Sequence, residues 1–153
     1  GFAHPVLDFH GDIGMLAPGD FIPIAEESPL IVGLGAWAIS QACSDLMEFA
    51  PNADDAPWVS VNIAARQLAD RALLGIIDTA LRDSALAPTR LKLEVTENVI
   101  LHDEAAARSV LETLRDRGVA ALMDDFGTGN SGLTQLLRDH ETVFFIAYHH
   151  RRC

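Results

Sequence analysis

The stretch L-M-D-D-F-G-T-G-N-S-G-L, residues 122–133, combines two chemistries that conflict with each other. An apolar run ends in the adjacent aspartates Asp124 and Asp125, and paired carboxylates attract a divalent cation. Three glycines follow at the G-x-G-x-x-G spacing of a turn that holds a dinucleotide pyrophosphate. The sequence on either side of this stretch indicates which interpretation is correct and which fold the chain adopts.

Strands and helices alternate along the chain. Apolar periodicity predicts helices over residues 29–50, 66–86, 102–118 and about 131–138. Short apolar runs predict strands over residues 58–63, 91–95, 119–123 and 142–148. This order indicates an α/β fold of parallel strands with right-handed crossovers. Residues 1–14 predict no more than a short strand and a loop.

Polar side chains occupy the carboxyl ends of three successive predicted strands. The first strand ends in Asn62, the second near Glu94, and the third in Asp124 and Asp125. These ends share one face of a parallel sheet or barrel, where functional sites are built. Hard oxygen ligands suit Mg²⁺, Mn²⁺ or Ca²⁺. Any one of these residues could instead cap the helix that follows it, but the agreement of three strand ends favours a metal site.

The dinucleotide interpretation of the glycines is weaker. Two carboxylates directly before Gly127 would repel a pyrophosphate, and at least two strand–helix units precede a motif that normally lies on the first strand. The last predicted strand is followed by Arg151 and Arg152, which could meet a 2′-phosphate, so this alternative stays open.

The composition narrows the function classes. The chain has 153 residues, is 49% hydrophobic and carries a formal charge of −11, which fits one domain and disfavours nucleic-acid polymers and anionic membrane surfaces. Cys43 and Cys153 form no C-x-x-C pair, so a reducing cytoplasm is expected. We expect no membrane span, since no apolar run reaches the roughly 18 residues that a span needs. Cys43, Trp37 and Trp58 are expected in the core.

Four stretches carry a resemblance to one family. They are FIPIAEESPLIVGLGAWAISQAC (21–43), VSVNIAARQL (59–68), LKLEVTEN (91–98) and LMDDFGTGNSGLTQL (122–136). In this combination and order the chain resembles the EAL domains, bacterial phosphodiesterases that hydrolyse cyclic di-GMP in a (β/α)₈ barrel. The resemblance implies that all 153 residues form a single incomplete domain: a partial TIM-type barrel with about five or six of eight strands and outer helices.

The resemblance also implies a ligand set. Asn62, Glu94, Asp124 and Asp125 match the family's metal ligands, and Glu94, Asp124 and Asp125 would serve catalysis. The cofactor would be Mg²⁺ or Mn²⁺, with Ca²⁺ inhibitory, and the product would be linear pGpG. The loop of residues 126–132 would support the metal site and, together with exposed barrel edges, a homo-oligomer.

Several matched positions depart from the family. The signature glutamate is Ala3, a substrate-contacting arginine is Leu7, the catalytic lysine is Phe145 and an aspartate beyond it is Ala147. The last two strand–helix units of a complete barrel, which needs about 250 residues, are not expected in this chain. We therefore expect an impaired phosphodiesterase, or alternatively a non-catalytic module that binds cyclic di-GMP or a protein.

Overall fold

The computed structural model describes residues 9–11, 14–16, 18–51 and 57–124, with side chains over 19–51 and 57–123. The strands are β1 (Phe9–Gly11), β2 (Gly14–Leu16), β3 (Val59–Asn62), β4 (Leu91–Thr96) and β5 (Ala120–Asp124). The α-helices are α1 (Pro18–Glu26), α2 (Leu30–Phe49), α3 (Ala65–Leu68), α4 (Leu73–Ser84), α5 (Glu97–His102) and α6 (Glu104–Asp116). A 3₁₀ turn, Pro88–Arg90, precedes β4.

The central sheet is parallel, as the strand–helix alternation predicts. Its order is β3-β4-β5, with Val59 opposite Leu91 and Lys92 opposite Ala120. Along β4 the side chains of Leu91, Leu93 and Val95 are buried, while those between them are half-buried. Successive side chains of a strand point to opposite faces, so β4 presents one fully apolar face and one polar face.

The apolar face of the sheet packs against helices. Helix α2 lies against α4 and β3, and α6 lies against β5, around a core that includes Ile39, Cys43 and Ile77. The core position expected for Cys43 is confirmed, and burial raises the pKa of its thiol to about 11. The same expectation for the tryptophans is wrong, because Trp37 is 51% and Trp58 39% exposed. Apolar spacing alone did not distinguish the buried residues of α2 from Trp37, which lies beside them on the exposed surface of the helix.

Two elements near the amino terminus go beyond the sequence prediction. Strands β1 and β2 form an antiparallel hairpin, with Phe9 opposite Leu16 and Gly11 opposite Gly14. Helix α1 follows and includes Pro23 in its interior, which explains why the periodicity did not indicate a helix there. The hairpin and α1 lead the chain into α2, which begins one residue after Pro29 as predicted.

The single helix predicted over residues 66–86 is wrong, because the structure has α3 and α4 separated by a turn. The carboxylate of Asp70 accepts a hydrogen bond from the Ala72 amide at 2.8 Å, and the Asp70 carbonyl accepts one from Leu73. Short acidic side chains compete with the helical backbone in this way and start a new helix. The break separates α4 from α3, which packs against α2 and α5.

The helix predicted over residues 102–118 is confirmed as α6, but the structure adds α5 before it. Thr96 caps α5 by accepting a hydrogen bond from the Val99 amide, and Asp103 caps α6 by accepting one from the Ala106 amide. Gly118 ends α6 at a φ of 86°, the left-handed conformation that glycine adopts without strain. Thr96 and Asp103 therefore each begin a helix, and the apolar pattern predicted only the second of the two.

Arg90 connects the carboxyl end of α2 to the segment that precedes β3. This side chain is 8% exposed and donates to the carbonyls of Pro57 at 3.0 Å and Ala50 at 2.9 Å. Its charge is therefore satisfied by main-chain oxygens. The clamp fixes where β3 begins and so where its other end, Asn62, lies.

Helix α2 also bears on the expectation of no membrane span. Its 20 residues and a mean hydropathy of 1.3 are sufficient, by length and composition, for a helix that crosses a membrane. Core helices share these two properties, and α2 buries Ile31, Ile39, Cys43 and Leu46. Among the described residues α2 is the one helix that meets this length and composition test, and part of its surface is packed in the core.

Several predictions lie outside the described residues. They concern Asp125, the loop of residues 126–132, the helix over 131–138, the strand over 142–148, and the substituted positions Ala3, Leu7, Phe145 and Ala147.

Candidate metal and substrate site

The carboxyl ends of the three parallel strands meet at one edge of the sheet. Asn62 is the Cα partner of Glu94 on β4, and Thr96 is the Cα partner of Asp124 on β5. The register therefore brings three of the four predicted ligand positions to neighbouring strand ends. The fourth, Asp125, lies outside the described residues.

A cavity of about 780 Å³ opens at this edge. Its polar lining includes Ser60, Asn62, Arg66, Gln67, Glu94 and Thr96. Its apolar wall comes from α1 and α2, with Ile22, Ile31 and Leu34. A volume of this size lies within the range of pockets that take a small organic ligand.

The carboxylate of Glu94 is held on one side. Its Oε1 accepts a hydrogen bond from the Ser60 hydroxyl at 2.5 Å. Within the described ranges, Oε2 has no hydrogen bond or ion pair, and the Asn62 side chain is exposed with none either. A carboxylate oxygen and an amide oxygen on adjacent strands thus remain available to a ligand.

Two residues of this site were not found by sequence reasoning, Ser60 and Gln67. Ser60 lies two residues before Asn62, so strand alternation places both on one face, and this spacing is the signal that could have found it. Gln67 is 4% exposed, and its Oε1 accepts from the Ala64 amide at 3.0 Å. That bond assigns the amide orientation and turns Nε2 toward Gly35 of α2.

Arg66 brings a positive charge to the lining of the cavity. Its guanidinium donates to the Glu27 carbonyl at 3.3 Å and is exposed, so no carboxylate neutralises it among the described side chains. Among the described residues its other donors have no partner, and Arg66 is part of the cavity lining.

The donor set fits a hard divalent cation as far as it is described. Asn62 and Glu94 supply an amide and a carboxylate oxygen, the ligand types of Mg²⁺ and Mn²⁺. Over side chains 19–51 and 57–123, no group of three or more His, Cys, Asp and Glu residues could hold a metal. This follows because an asparagine is one member of the expected set, and the Asp124 side chain and Asp125 lie beyond that range.

The opposite end of the same strand face has a different character. Lys92 places its ammonium 3.9 Å from the centroid of the Trp58 ring, a cation–π contact. Desolvation by burial lowers the pKa of this lysine. Lys92 is two residues before Glu94 on β4 and is absent from the lining of the cavity, so it does not belong to the site.

Comparison with known proteins agrees with this geometry. The family model of the EAL domain matches residues 7–143. This chain belongs to the EAL domain family. The match spans the hairpin, every described helix and strand after it, and Asp125.

A curated relative has a name that states an activity. The bifunctional diguanylate cyclase/cyclic di-GMP phosphodiesterase MucR of Pseudomonas aeruginosa is 39% identical over 130 residues, which is 84% of this chain. The aligned part is only 19% of MucR. An uncharacterized signaling protein of Caulobacter vibrioides is 40% identical over 141 residues, or 89% of this chain and 16% of its own length.

A solved structure gives the fold. The phosphodiesterase of MucR in complex with cyclic di-GMP superposes with a TM-score of 0.78 at 36% identity, covering 87% of this chain and 54% of the other. EAL domains are TIM-barrel-like, so β3, β4 and β5 with their helices form part of a (β/α) barrel, as predicted. The described part contains three of the barrel's parallel strands.

Proposed function

We propose that this chain is an EAL-type cyclic di-GMP phosphodiesterase domain whose turnover is impaired. The observation that carries the proposal is the register of Asn62 with Glu94 at the mouth of one cavity, on the parallel strands of an EAL barrel. The MucR phosphodiesterase, whose solved complex contains cyclic di-GMP, supports the same substrate. The reaction would be metal-dependent hydrolysis of one phosphodiester bond to give pGpG.

Each ligand position has a separate task in this proposal. Asn62 and Glu94 would bind the first divalent cation, Asp124 would bridge two cations, and Asp125 would hold the second. When bound, Mg²⁺ or Mn²⁺ would supply Lewis-acid activation of the attacking water and neutralise charge at phosphorus. Ca²⁺ would occupy the site without supporting turnover.

The remaining side chains of the cavity would bind and orient the nucleotide. Arg66 is placed to meet a phosphate at the cavity mouth, since its guanidinium has free donors there. The apolar wall of Ile22, Ile31 and Leu34 offers a surface against which a base can be desolvated.

Impairment follows from four substitutions in the sequence. Ala3 cannot supply the carboxylate of the signature glutamate, and Leu7 cannot contact a phosphate. Phe145 and Ala147 replace a lysine and an aspartate of the family pattern. The loss of one group that stabilises transition-state charge commonly costs about 10²–10³-fold in rate.

The proposal is tested by measuring pGpG formation from cyclic di-GMP with Mg²⁺ or Mn²⁺, beside the MucR phosphodiesterase domain. We expect a rate at least roughly 100-fold lower than that domain's, abolished by a chelator and by Glu94→Gln. The matched control is Glu104→Gln, the same change in an exposed ion pair with Arg108 on α6. Rates equal to the MucR domain would disprove the impairment, and a residual activity insensitive to Glu94→Gln would disprove the site.

A second function is favoured by the substitutions themselves. With Ala3 and Phe145 in place of two catalytic groups, the chain would be a non-catalytic module that binds cyclic di-GMP or a protein. Calorimetry with cyclic di-GMP and Ca²⁺ separates the two, because heat of binding without any pGpG in the turnover assay selects the binding module.

The proposal extends to assembly and location. We infer a homo-oligomer through the loop of residues 126–132 and the strand edges of the partial barrel, and a bacterial cytoplasmic setting for the signalling nucleotide. In the described sheet β3 and β5 are the edge strands, and each leaves one row of backbone groups unpaired by the other two strands.

A further inference from the structure

Ser60 lies on the strand next to Glu94 and contacts its carboxylate. It lies on β3, where it is the Cα partner of Lys92, and Glu94 is two residues further along β4. Strand alternation puts Ser60, Asn62 and Glu94 on one face, and all three line the cavity. The 2.5 Å hydrogen bond from the Ser60 hydroxyl to Oε1 of Glu94 is therefore diagonal across the two strands.

In this hydrogen bond Ser60 is the donor and Glu94 is the acceptor. An ionised carboxylate only accepts, so the single proton of the Ser60 hydroxyl is donated to Glu94. A hydroxyl–carboxylate bond near 2.5–2.7 Å is short and charge-assisted, and it is stronger than a bond between neutral groups. The Ser60 hydroxyl has no other hydrogen-bond partner among the described residues, so this contact alone fixes its rotamer.

The bond leaves the two oxygens of Glu94 in different roles. Oε1 is occupied by Ser60, and Oε2 has no hydrogen-bond partner among the described residues. The carboxylate cannot rotate about its terminal torsion without losing the bond, so Oε2 is presented in one orientation. Residues outside the ligand set commonly orient metal ligands by such hydrogen bonds.

We propose that Ser60 is a positioning residue that holds Glu94 ready to bind a divalent cation. This inference rests on the proposed function, since it assigns Glu94 to the metal. The backbone pairing of β3 with β4 already joins the strands at this level, so Ser60 is not needed to hold them together. Its removal therefore acts on the carboxylate and leaves the sheet in place.

The test is Mn²⁺ affinity measured by calorimetry on the whole chain, with the thermal unfolding midpoint recorded for each variant. Ser60→Ala deletes the donor and is expected to weaken Mn²⁺ binding about 10-fold or more, the usual cost of losing such a partner. Ser60→Thr keeps a hydroxyl in a residue that strands favour and is expected to restore affinity. Ser84→Ala removes a hydroxyl that donates to the Ala80 carbonyl on α4, outside the cavity, and is expected to leave affinity unchanged.

Three outcomes would overturn the positioning role. Wild-type affinity in Ser60→Ala would show that the hydrogen bond does not matter to the metal. Equal weakening in Ser60→Ala and Ser60→Thr would assign the effect to packing and not to the hydroxyl. If the wild-type chain binds no Mn²⁺ at all, the proposed metal site itself fails, a result distinct from a bound metal that ignores Ser60.

Discussion

At the scale of single residues, the structure shows how a carboxylate is accommodated inside a strand. Glu94 interrupts an apolar strand, and an unpaired carboxylate buried there would be costly. Its side chain is half-buried on the polar face and accepts from Ser60. Glu94 is thus stabilised by one neutral donor while remaining open to a cation.

Cys43 gives a prediction for the pH dependence of stability. Because burial raises the pKa of this thiol from 9.0 to about 11, the folded state favours the protonated form more than the unfolded chain does. The associated stability is fully present below pH 9 and is lost as pH rises through about 11. In a Cys153→Ser background, the free energy of unfolding should fall more steeply between pH 9 and 11 than it does in the additional variant Cys43→Ala, by at most about 1.4 kcal/mol per pH unit. Parallel pH profiles would show that Cys43 does not titrate in this way.

The sequence could place two candidate residues together because each ends a predicted strand. Asn62 and Glu94 were expected together, and β3 and β4 bring them into register. Sequence reasoning missed Ser60 and Gln67. The partner of Ser60, Glu94, is distant in sequence, and Gln67 binds the Ala64 amide in a turn that the sequence did not predict. Ser60 contacts Glu94 across 34 positions, so the strand spacing that places Ser60 beside Asn62 does not by itself reveal this partner.

At the scale of elements, α2 and α3 pack against each other where Gly35 faces the side chain of Gln67. A Cβ on Gly35 would lie 1.6 Å from Nε2 of Gln67, a distance that no structure tolerates. Gln67 cannot swing away cheaply, because it is buried and its Oε1 holds the Ala64 amide at the start of α3. Close approach of the two helices therefore requires glycine at this position.

Substitution of this glycine gives a prediction with a matched control on the same helix. Gly35→Ala should lower the free energy of unfolding by about 1–3 kcal/mol, the usual cost of overpacking, measured by urea denaturation. Gly33→Ala, two residues earlier on the exposed side of α2, meets no atom within 4 Å and should raise it by up to about 1 kcal/mol. If both variants are stabilised, Gln67 does not hold α3 against α2.

Element boundaries show what apolar periodicity lacks. It placed α2, β3, β4, α6 and β5, each of which has an apolar run or an apolar period that the sequence shows. It joined α3 to α4 across Asp70 and overlooked α5, because single side chains decide these boundaries. Asp70 accepts a hydrogen bond from the Ala72 amide in the turn before α4, and Thr96 caps α5. It also overlooked α1, where Pro23 lies inside the helix.

At the scale of the whole molecule, the parallel order β3-β4-β5 brings three separate strand ends to one edge of the sheet. The alternation of strands and helices predicted that these strands are parallel, since parallel strands require crossovers. It could not predict the size of the cavity, because Ile22 and Ile31 reach the site from α1 and α2 through packing that no motif records. The chain spans 54% of the solved MucR phosphodiesterase chain, so the activity proposed above is tested on the part of the barrel that this chain contains.

The most direct test of this site is a crystal of the chain soaked in Mn²⁺ and measured at a wavelength with manganese anomalous signal. We expect a peak at the carboxyl ends of β3, β4 and β5, about 2 Å from Oε2 of Glu94 and from the amide oxygen of Asn62, and no peak there in Glu94→Gln. A saturating soak that leaves this edge of the sheet without anomalous density, or that places manganese only elsewhere, would show that the retained EAL ligand positions do not form a metal site.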